Sequence, residues 1–149
     1  VDRRLQVKGQ ASGVLVVDDY GHQPTEIRAT LDTLRRRAGE RRTVVLFQPH
    51  RFTRTRALWD DFAKAFHQAD VLLLTDVYPA SEAPIPGVSA EALARAIAER
   101  GHRRVEWAGG LAAATERRAA RRPEGDVVLT LGAGSVGHAA DEILRRRAS

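Results

Sequence analysis

The chain has 149 residues, of which 43% are apolar, and it contains neither cysteine nor methionine. This size and apolar content allow one domain with its own hydrophobic core, and the lack of cysteine excludes disulfides and thiolate metal sites. The net charge is +5, and Lys8 and Lys64 are the only lysines among 24 basic residues, which leaves 22 arginines. The arginine clusters at 35–37, 117–118, 121–122 and 145–147 lie at the ends of predicted helices, where cations complement the helix dipole, so nucleic-acid binding is not expected.

Membrane and export signals are also missing from the sequence. No apolar run approaches the ~20 residues that a membrane helix needs, and the N-terminus lacks the pattern of a signal peptide. A cytoplasmic protein with no membrane partner is therefore expected. The chain starts at Val1 rather than at a methionine, so we expect a processed chain or an excised piece of a longer one.

Six segments are predicted to be β-strands. Three are continuous runs rich in Val and Leu, which is typical of strands buried on both faces of a parallel sheet. The first segment, Leu5 to Lys8, is predicted to form a hairpin with the next one across Gly9 to Gly13. The remaining strands are predicted at Val14 to Val17, Thr43 to Phe47, Val71 to Thr75, Val105 to Trp107 and Val127 to Leu131.

Helical patterns alternate with these strands. They are predicted after Pro24, over Leu58 to Phe66, between an N-cap at Ser89 and a stop at Gly101, over Gly110 to Arg122, and from about Ser135 to Arg147. The alternation predicts a single α/β domain over residues 1–149. Its expected architecture is a Rossmann-like, doubly wound, mostly parallel sheet of about five to six strands with helices on both faces.

Ligands in such folds bind beyond the carboxyl ends of the strands, where this sequence places ionisable residues. Arg51 and Arg54 follow the strand that ends at Phe47, and two guanidinium groups there can grip a carboxylate or a phosphate. The alternative is that both are solvated arginines beside a helix start. Asp19 and His22 follow the strand at Val14, where the aspartate could also cap a turn and the histidine could be a structurally bonded surface residue.

The loop from Gly132 to Gly137 matches G-x-G-x-x-G between a strand and a helix. As a dinucleotide-binding signal it is weak, because the chain ends before the acidic residue expected about 20 positions later. We favour a packing role, in which the glycines let the last helix approach the sheet closely. No G-x-x-x-x-G-K-[ST] phosphate loop occurs in the chain.

Taken in order, four segments give the chain a family resemblance. They are Asp18 to Glu26, Phe47 to Thr55, Thr75 to Ala80 and Gly132 to Gly134. Together they resemble the C-terminal domain of the Mur ligases of bacterial peptidoglycan synthesis, in the branch that joins L-alanine to UDP-N-acetylmuramate. The resemblance covers nearly the whole chain. Gln23 stands where that branch usually has a second histidine.

The resemblance implies a three-domain parent whose N-terminal domain holds the UDP-sugar and whose central domain binds ATP and Mg²⁺. It implies a bacterial cytoplasmic ligase that forms an acyl phosphate, which the amine of L-alanine attacks. It also implies that Asp19 lies near the nucleotide ribose, and that His22, Arg51 and Arg54 lie near L-alanine and the transferred phosphate. On this view the isolated domain is inactive, binds no cofactor tightly and holds no metal of its own.

Two alternatives remain open from the sequence. The first is the same domain of a murein-peptide ligase, which attaches a tripeptide to the same sugar nucleotide; only Tyr20-Gly21 favours the L-alanine enzyme. The second is a receiver domain switched by phosphorylation, which Asp18, Asp19 and Asp76 imitate. A receiver needs a lysine after its fifth strand, where this chain has Gly132-Ala133-Gly134.

Overall fold

The computed structural model describes residues 5–11, 14–19, 21–110, 126–132 and 136–148. They form a six-stranded sheet in the order β1-β2-β6-β3-β4-β5, in which β1 is antiparallel to β2 and the other neighbours are parallel. The strands are β1 (Gln6–Ala11), β2 (Val14–Asp19), β3 (Thr43–Phe47), β4 (Val71–Thr75), β5 (Val105–Gly109) and β6 (Val127–Leu131). All six predicted strands are present, and β1 pairs with β2 as predicted, but the predicted connection across Gly9 to Gly13 is wrong in its bounds, because β1 continues to Ala11.

Five helices lie in the described ranges: α1 (Pro24–Ala38), α2 (Phe52–Ala57), α3 (Trp59–Ala63), α4 (Ala90–Glu99) and α5 (Gly137–Ala148). The predicted N-cap of α4 is confirmed, because the hydroxyl of Ser89 accepts a hydrogen bond from the amide of Ala92 at 3.1 Å. The helix predicted over 110–122 lies outside the described residues, apart from Gly110 at its start.

The single helix predicted over Leu58 to Phe66 is wrong in its boundaries. Two short helices meet at Leu58 instead, whose φ of −110° and ψ of 22° interrupt the helical backbone. The first of them, α2, buries only Thr55. It therefore has no apolar stripe from which hydrophobic periodicity could have predicted it.

The core has two layers, because successive side chains of a strand point to opposite faces of the sheet. On one face Val17, Val45 and Leu129 join apolar side chains of α1, α3 and α4. On the other face Val16, Val44 and Val128 pack against α5. Helices therefore cover both faces, as the doubly wound prediction required, and β3, β4 and β6 are buried along their whole length.

The strand order decides between the predicted fold and the receiver alternative. In a receiver domain the first parallel strand lies between the second and the third. Here the first parallel strand of the chain, β2, lies between the antiparallel β1 and β6, and not between β3 and β4. The receiver alternative is therefore wrong.

None of the helices in the described ranges has the length and apolar character that crossing a membrane requires.

Candidate functional site

The carboxyl ends of β2, β6, β3 and β4 form one edge of the sheet, and the loop after β2 begins there at Asp19. This carboxylate is 1% exposed; it accepts hydrogen bonds from the amide of Gly21 at 2.7 Å and from the amide of Leu5 at 2.8 Å. A Cβ atom at Gly21 would lie 2.9 Å from Asp19 Oδ1, so a larger residue there would have to displace this carboxylate oxygen. Asp19 thus closes the turn that presents His22 and ties it to the start of β1.

Asp18, the neighbour of Asp19, points to the opposite face of the sheet. Its carboxylate accepts a 2.6 Å hydrogen bond from the hydroxyl of Thr130 on β6, and both residues are buried. Asp18 therefore braces two strands and does not line the edge.

His22 lies at the start of α1, with its side chain only 17% exposed. Its Nδ1 atom is 3.8 Å from the Glu26 carboxylate, which also accepts a hydrogen bond from the amide of Gln23 at 3.2 Å. The ring centroid of His22 is 6.1 Å from that of His50, in the loop after β3. The two loops that follow β2 and β3 therefore meet across the end of β6.

His50 was not among the predicted site residues, and it occupies the middle of the group. Its Nδ1 atom lies 3.1 Å from Nη1 of Arg54. Because a guanidinium can only donate, Nδ1 must accept and the neutral ring carries its proton on Nε2. Burial, followed by the charges of Arg54, His22 and Arg51, lowers the pKa of His50 below its ordinary value of 6.5. The ring is therefore neutral at pH 7.

Arg51 has an unusual backbone conformation, with φ at 72°, a region that non-glycine residues seldom adopt. Its amide donates to the carbonyl of Tyr78 at 2.7 Å, and its own carbonyl accepts from the hydroxyl of Thr55 at 2.7 Å. The side chain of Arg51 is exposed. The turn directs the chain from β3 into α2 and leaves the guanidinium in solvent at the edge of the sheet.

The loop after β4 supports this arrangement through Tyr78. The amide of Tyr78 donates to the carbonyl of Pro49 at 2.8 Å, and His50 and Tyr78 form an isolated parallel bridge. Their rings are stacked, with centroids 5.3 Å apart and planes inclined by 12°. Residues that follow β3 and β4 thus continue the parallel pairing of those strands, which fixes His50 beside Arg54.

The glycine-rich loop after β6 serves packing in the residues described. A Cβ atom at Gly132 would lie 3.0 Å from the carbonyl oxygen of Gln48 and 3.0 Å from Val136. The side chain of Gln48 in turn accepts a hydrogen bond from the amide of Val136 at 3.0 Å. The favoured interpretation of close helix approach fits this geometry, while Ala133, Gly134 and Ser135 lie outside the described residues.

The structure therefore brings together three predicted site residues, His22, Arg51 and Arg54, around the unpredicted His50. The chain order of Gln48-Pro49-His50-Arg51 held a signal for His50, because it immediately precedes the predicted arginines at the mouth of a strand. Two guanidinium groups and a neutral imidazole can bind an anion such as a carboxylate or a phosphate. Within the described ranges, no three His, Asp or Glu side chains are grouped to hold a metal ion.

A comparison with protein-family models gives one match over most of the chain. Residues 3–134 match the model for the Mur ligase, glutamate ligase domain. The match covers most of the chain and includes His22, His50, Arg51 and Arg54.

Curated relatives are similar over nearly the whole chain. The UDP-N-acetylmuramate–L-alanine ligase of Solibacter usitatus is 58% identical over 146 residues, which cover 98% of this chain and 31% of that protein. The enzyme of the same name from a Geobacter species is 52% identical, covering 98% of this chain and 32% of that protein. The chain thus spans about a third of the length of these relatives.

A solved structure supports the fold. The UDP-N-acetylmuramate–alanine ligase of Thermotoga maritima superposes with a TM-score of 0.76 at 27% identity, over 98% of this chain and 30% of that one.

Proposed function

Since the chain belongs to the Mur ligase family, as its glutamate ligase domain, we propose that it is the C-terminal domain of an ATP-dependent ligase that joins L-alanine to UDP-N-acetylmuramate. The observation that carries this proposal is the identity of up to 58% with enzymes of that name along 98% of the chain. Both curated relatives described above are named for L-alanine and share more than half of their residues with this chain over the matched region, which favours the amino acid over a tripeptide.

The proposed parent has two further domains, in agreement with the third of the relatives' length that this chain spans. An N-terminal domain would hold the UDP-sugar and a central domain would hold ATP with Mg²⁺. The present chain, as one domain over residues 1–149, would close over the central domain with the edge that carries Arg51 and Arg54. The protein would act in the bacterial cytoplasm, in peptidoglycan synthesis.

The chemistry in this proposal needs an anion site. ATP transfers its γ-phosphoryl group to the carboxylate of UDP-N-acetylmuramate, and ADP leaves. The amine of L-alanine then attacks the carbonyl carbon of the acyl phosphate, phosphate departs, and the nitrogen loses its extra proton. Holding the amine against the acyl phosphate is catalysis by positioning.

Arg51 and Arg54 supply what that positioning requires. Their guanidinium groups would bind the carboxylate of L-alanine or the oxygens of the phosphoryl group, since both are anions suited to bidentate donors. His50, which is neutral because of its lowered pKa, would donate from Nε2 without adding charge. His22 would approach the same substrates from the loop after β2.

Asp19 has a different place in the proposal. Both of its oxygens accept backbone hydrogen bonds, so it acts by shaping the loop that holds His22. We propose that this loop faces the nucleotide ribose, with Asp19 beneath it. ATP and Mg²⁺ would be bound chiefly by the central domain, and this chain alone should bind neither tightly.

A substrate comparison with the full-length protein tests the proposal. ADP formation should depend on UDP-N-acetylmuramate and on L-alanine, and L-alanyl-γ-D-glutamyl-diaminopimelate should not replace the amino acid. Preference for the tripeptide would contradict the proposed acceptor, and activity with neither would contradict the proposed reaction. The 149-residue chain alone should hydrolyse no ATP, because it lacks a phosphate loop.

A further inference from the structure

The loop after β4 carries a carboxylate that reaches across to α2. Glu82 accepts a hydrogen bond from the amide of Thr53 at 3.1 Å and another from the hydroxyl of Thr53 at 2.5 Å. Thr53 is the second residue of α2. The hydrogen bonds from Thr53 lower the pKa of Glu82 below its ordinary value, so this side chain is a carboxylate at neutral pH.

The backbone of this loop is folded back to make the contact. Ala80 and Ser81 have φ values of 51° and 74°, which non-glycine residues seldom adopt and which store strain. The amide of Glu82 donates to the carbonyl of Pro79 at 3.0 Å and closes the turn. A strained turn persists only where surrounding contacts hold it, and the two bonds to Thr53 are such contacts.

The same loop holds the start of α2 at a second point. The carbonyl of Tyr78 accepts from the amide of Arg51, and Glu82 accepts from Thr53, two residues later. Because α2 buries only Thr55, hydrophobic packing contributes little to its position. Polar contacts from the loop after β4 therefore decide where α2 begins and where the side chain of Arg51 is directed.

We propose that Glu82 is a positioning residue, which fixes Arg51 and Arg54 for the carboxylate of the amino-acid substrate. This rests on the proposed function. Glu82 acts through Thr53 and the first turn of α2, and it also lies close enough to Arg51 to interact with its charge. Both oxygens of the Glu82 carboxylate accept hydrogen bonds from Thr53. Glu82 therefore holds the arginines in position through α2 and does not bind the substrate itself.

Steady-state kinetics of the full-length ligase separate this role from simple stabilisation. Glu82→Gln should raise KM for L-alanine about tenfold while kcat changes less than about threefold, because substrate binding is lost without loss of the chemical step. Thr53→Val, which removes only the donating hydroxyl, should have the same effect. Thr53→Ser should recover most of the affinity that Thr53→Val loses. The matched control is Glu99→Gln, an exposed glutamate at the far end of α4, which should leave KM unchanged.

A double-mutant cycle tests whether Glu82 works through Arg51. If it does, the total loss in the double variant with Glu82→Gln and Arg51→Ala should be much smaller than the product of the two single losses. A full multiplicative loss of Glu82→Gln with Arg51→Ala, and again with Arg54→Ala, would show that Glu82 acts independently of both arginines, and would overturn the positioning role. Wild-type KM in both Glu82→Gln and Thr53→Val, with Arg51→Ala impaired, would overturn it as well. A wild-type enzyme that does not use L-alanine would overturn the proposed function and this inference together.

Discussion

Replacing Arg54 tests the central feature of the proposed site. Arg54 lies on α2 beside His50, with its Nη1 atom 3.1 Å from the ring nitrogen of that histidine. Arg54→Ala removes a guanidinium that in the proposal contacts a substrate anion. It also removes the second largest cause of the lowered pKa of His50. Both consequences can be measured separately.

The magnitude follows from the kind of bond that is lost. A hydrogen bond to a charged group contributes about 1.5–3 kcal/mol, which corresponds to roughly ten- to more than a hundredfold in kcat/KM. Arg54→Ala, and likewise Arg51→Ala, should therefore lower kcat/KM for L-alanine by at least about tenfold. Lysine should restore little at either position, because a single ammonium cannot reproduce the planar fork of a guanidinium.

The assay is the initial rate of ADP formation by the full-length protein at subsaturating L-alanine. Arg56→Ala is the matched control, because Arg56 is exposed on the same helix two residues further along. It should retain wild-type kinetics. In the 149-residue chain, an NMR titration of the His50 ring should show a higher pKa in Arg54→Ala than in the wild type, since a repelling positive charge has gone.

Equal behaviour of the three arginines would refute this reasoning. If Arg51→Ala and Arg54→Ala keep wild-type kcat/KM as Arg56→Ala does, both are solvated surface arginines and the edge of the sheet does not bind the substrate anion. An unchanged His50 titration would separately refute the electrostatic coupling of Arg54 to that ring.

Three predictions concern stability and can be measured by urea unfolding of the 149-residue chain. Burial lowers the pKa of His102 below its ordinary 6.5, so the folded state binds protons less readily than the unfolded state; stability should be full above about pH 6.5 and decline below it, and His102→Gln should weaken that decline. Gly132→Ala should destabilise the fold by about 1–3 kcal/mol, because its Cβ would lie 3.0 Å from a backbone oxygen; an unchanged unfolding midpoint would contradict this packing role. Arg42→Ala should cost about 2–3 kcal/mol, because it deprives the 3% exposed carboxylate of Asp126 of a two-pronged partner, whereas the exposed Arg36→Ala should cost less than about 1 kcal/mol.

Sequence patterns sufficed for the chain order of the strands and of α1, α4 and α5, and for the edge where the candidate site lies. Strands buried on both faces read as nearly continuous apolar runs, and β3, β4 and β6 each have four apolar residues and one threonine. The N-cap at Ser89 is also a local signal, since the bond to the amide of Ala92 spans three residues. Arg51 and Arg54 could be placed at the edge because residues following a parallel strand must lie at its carboxyl end.

Only the tertiary structure decided how those pieces combine. No local pattern specifies that β6 lies between β2 and β3, because pairing is a contact between distant segments. The stack of His50 on Tyr78, and the contact of Glu82 with Thr53 across 29 residues of chain, depend on that strand arrangement. The start of α2 has the same origin, since it is held by polar contacts from another loop rather than by an apolar face that periodicity could reveal.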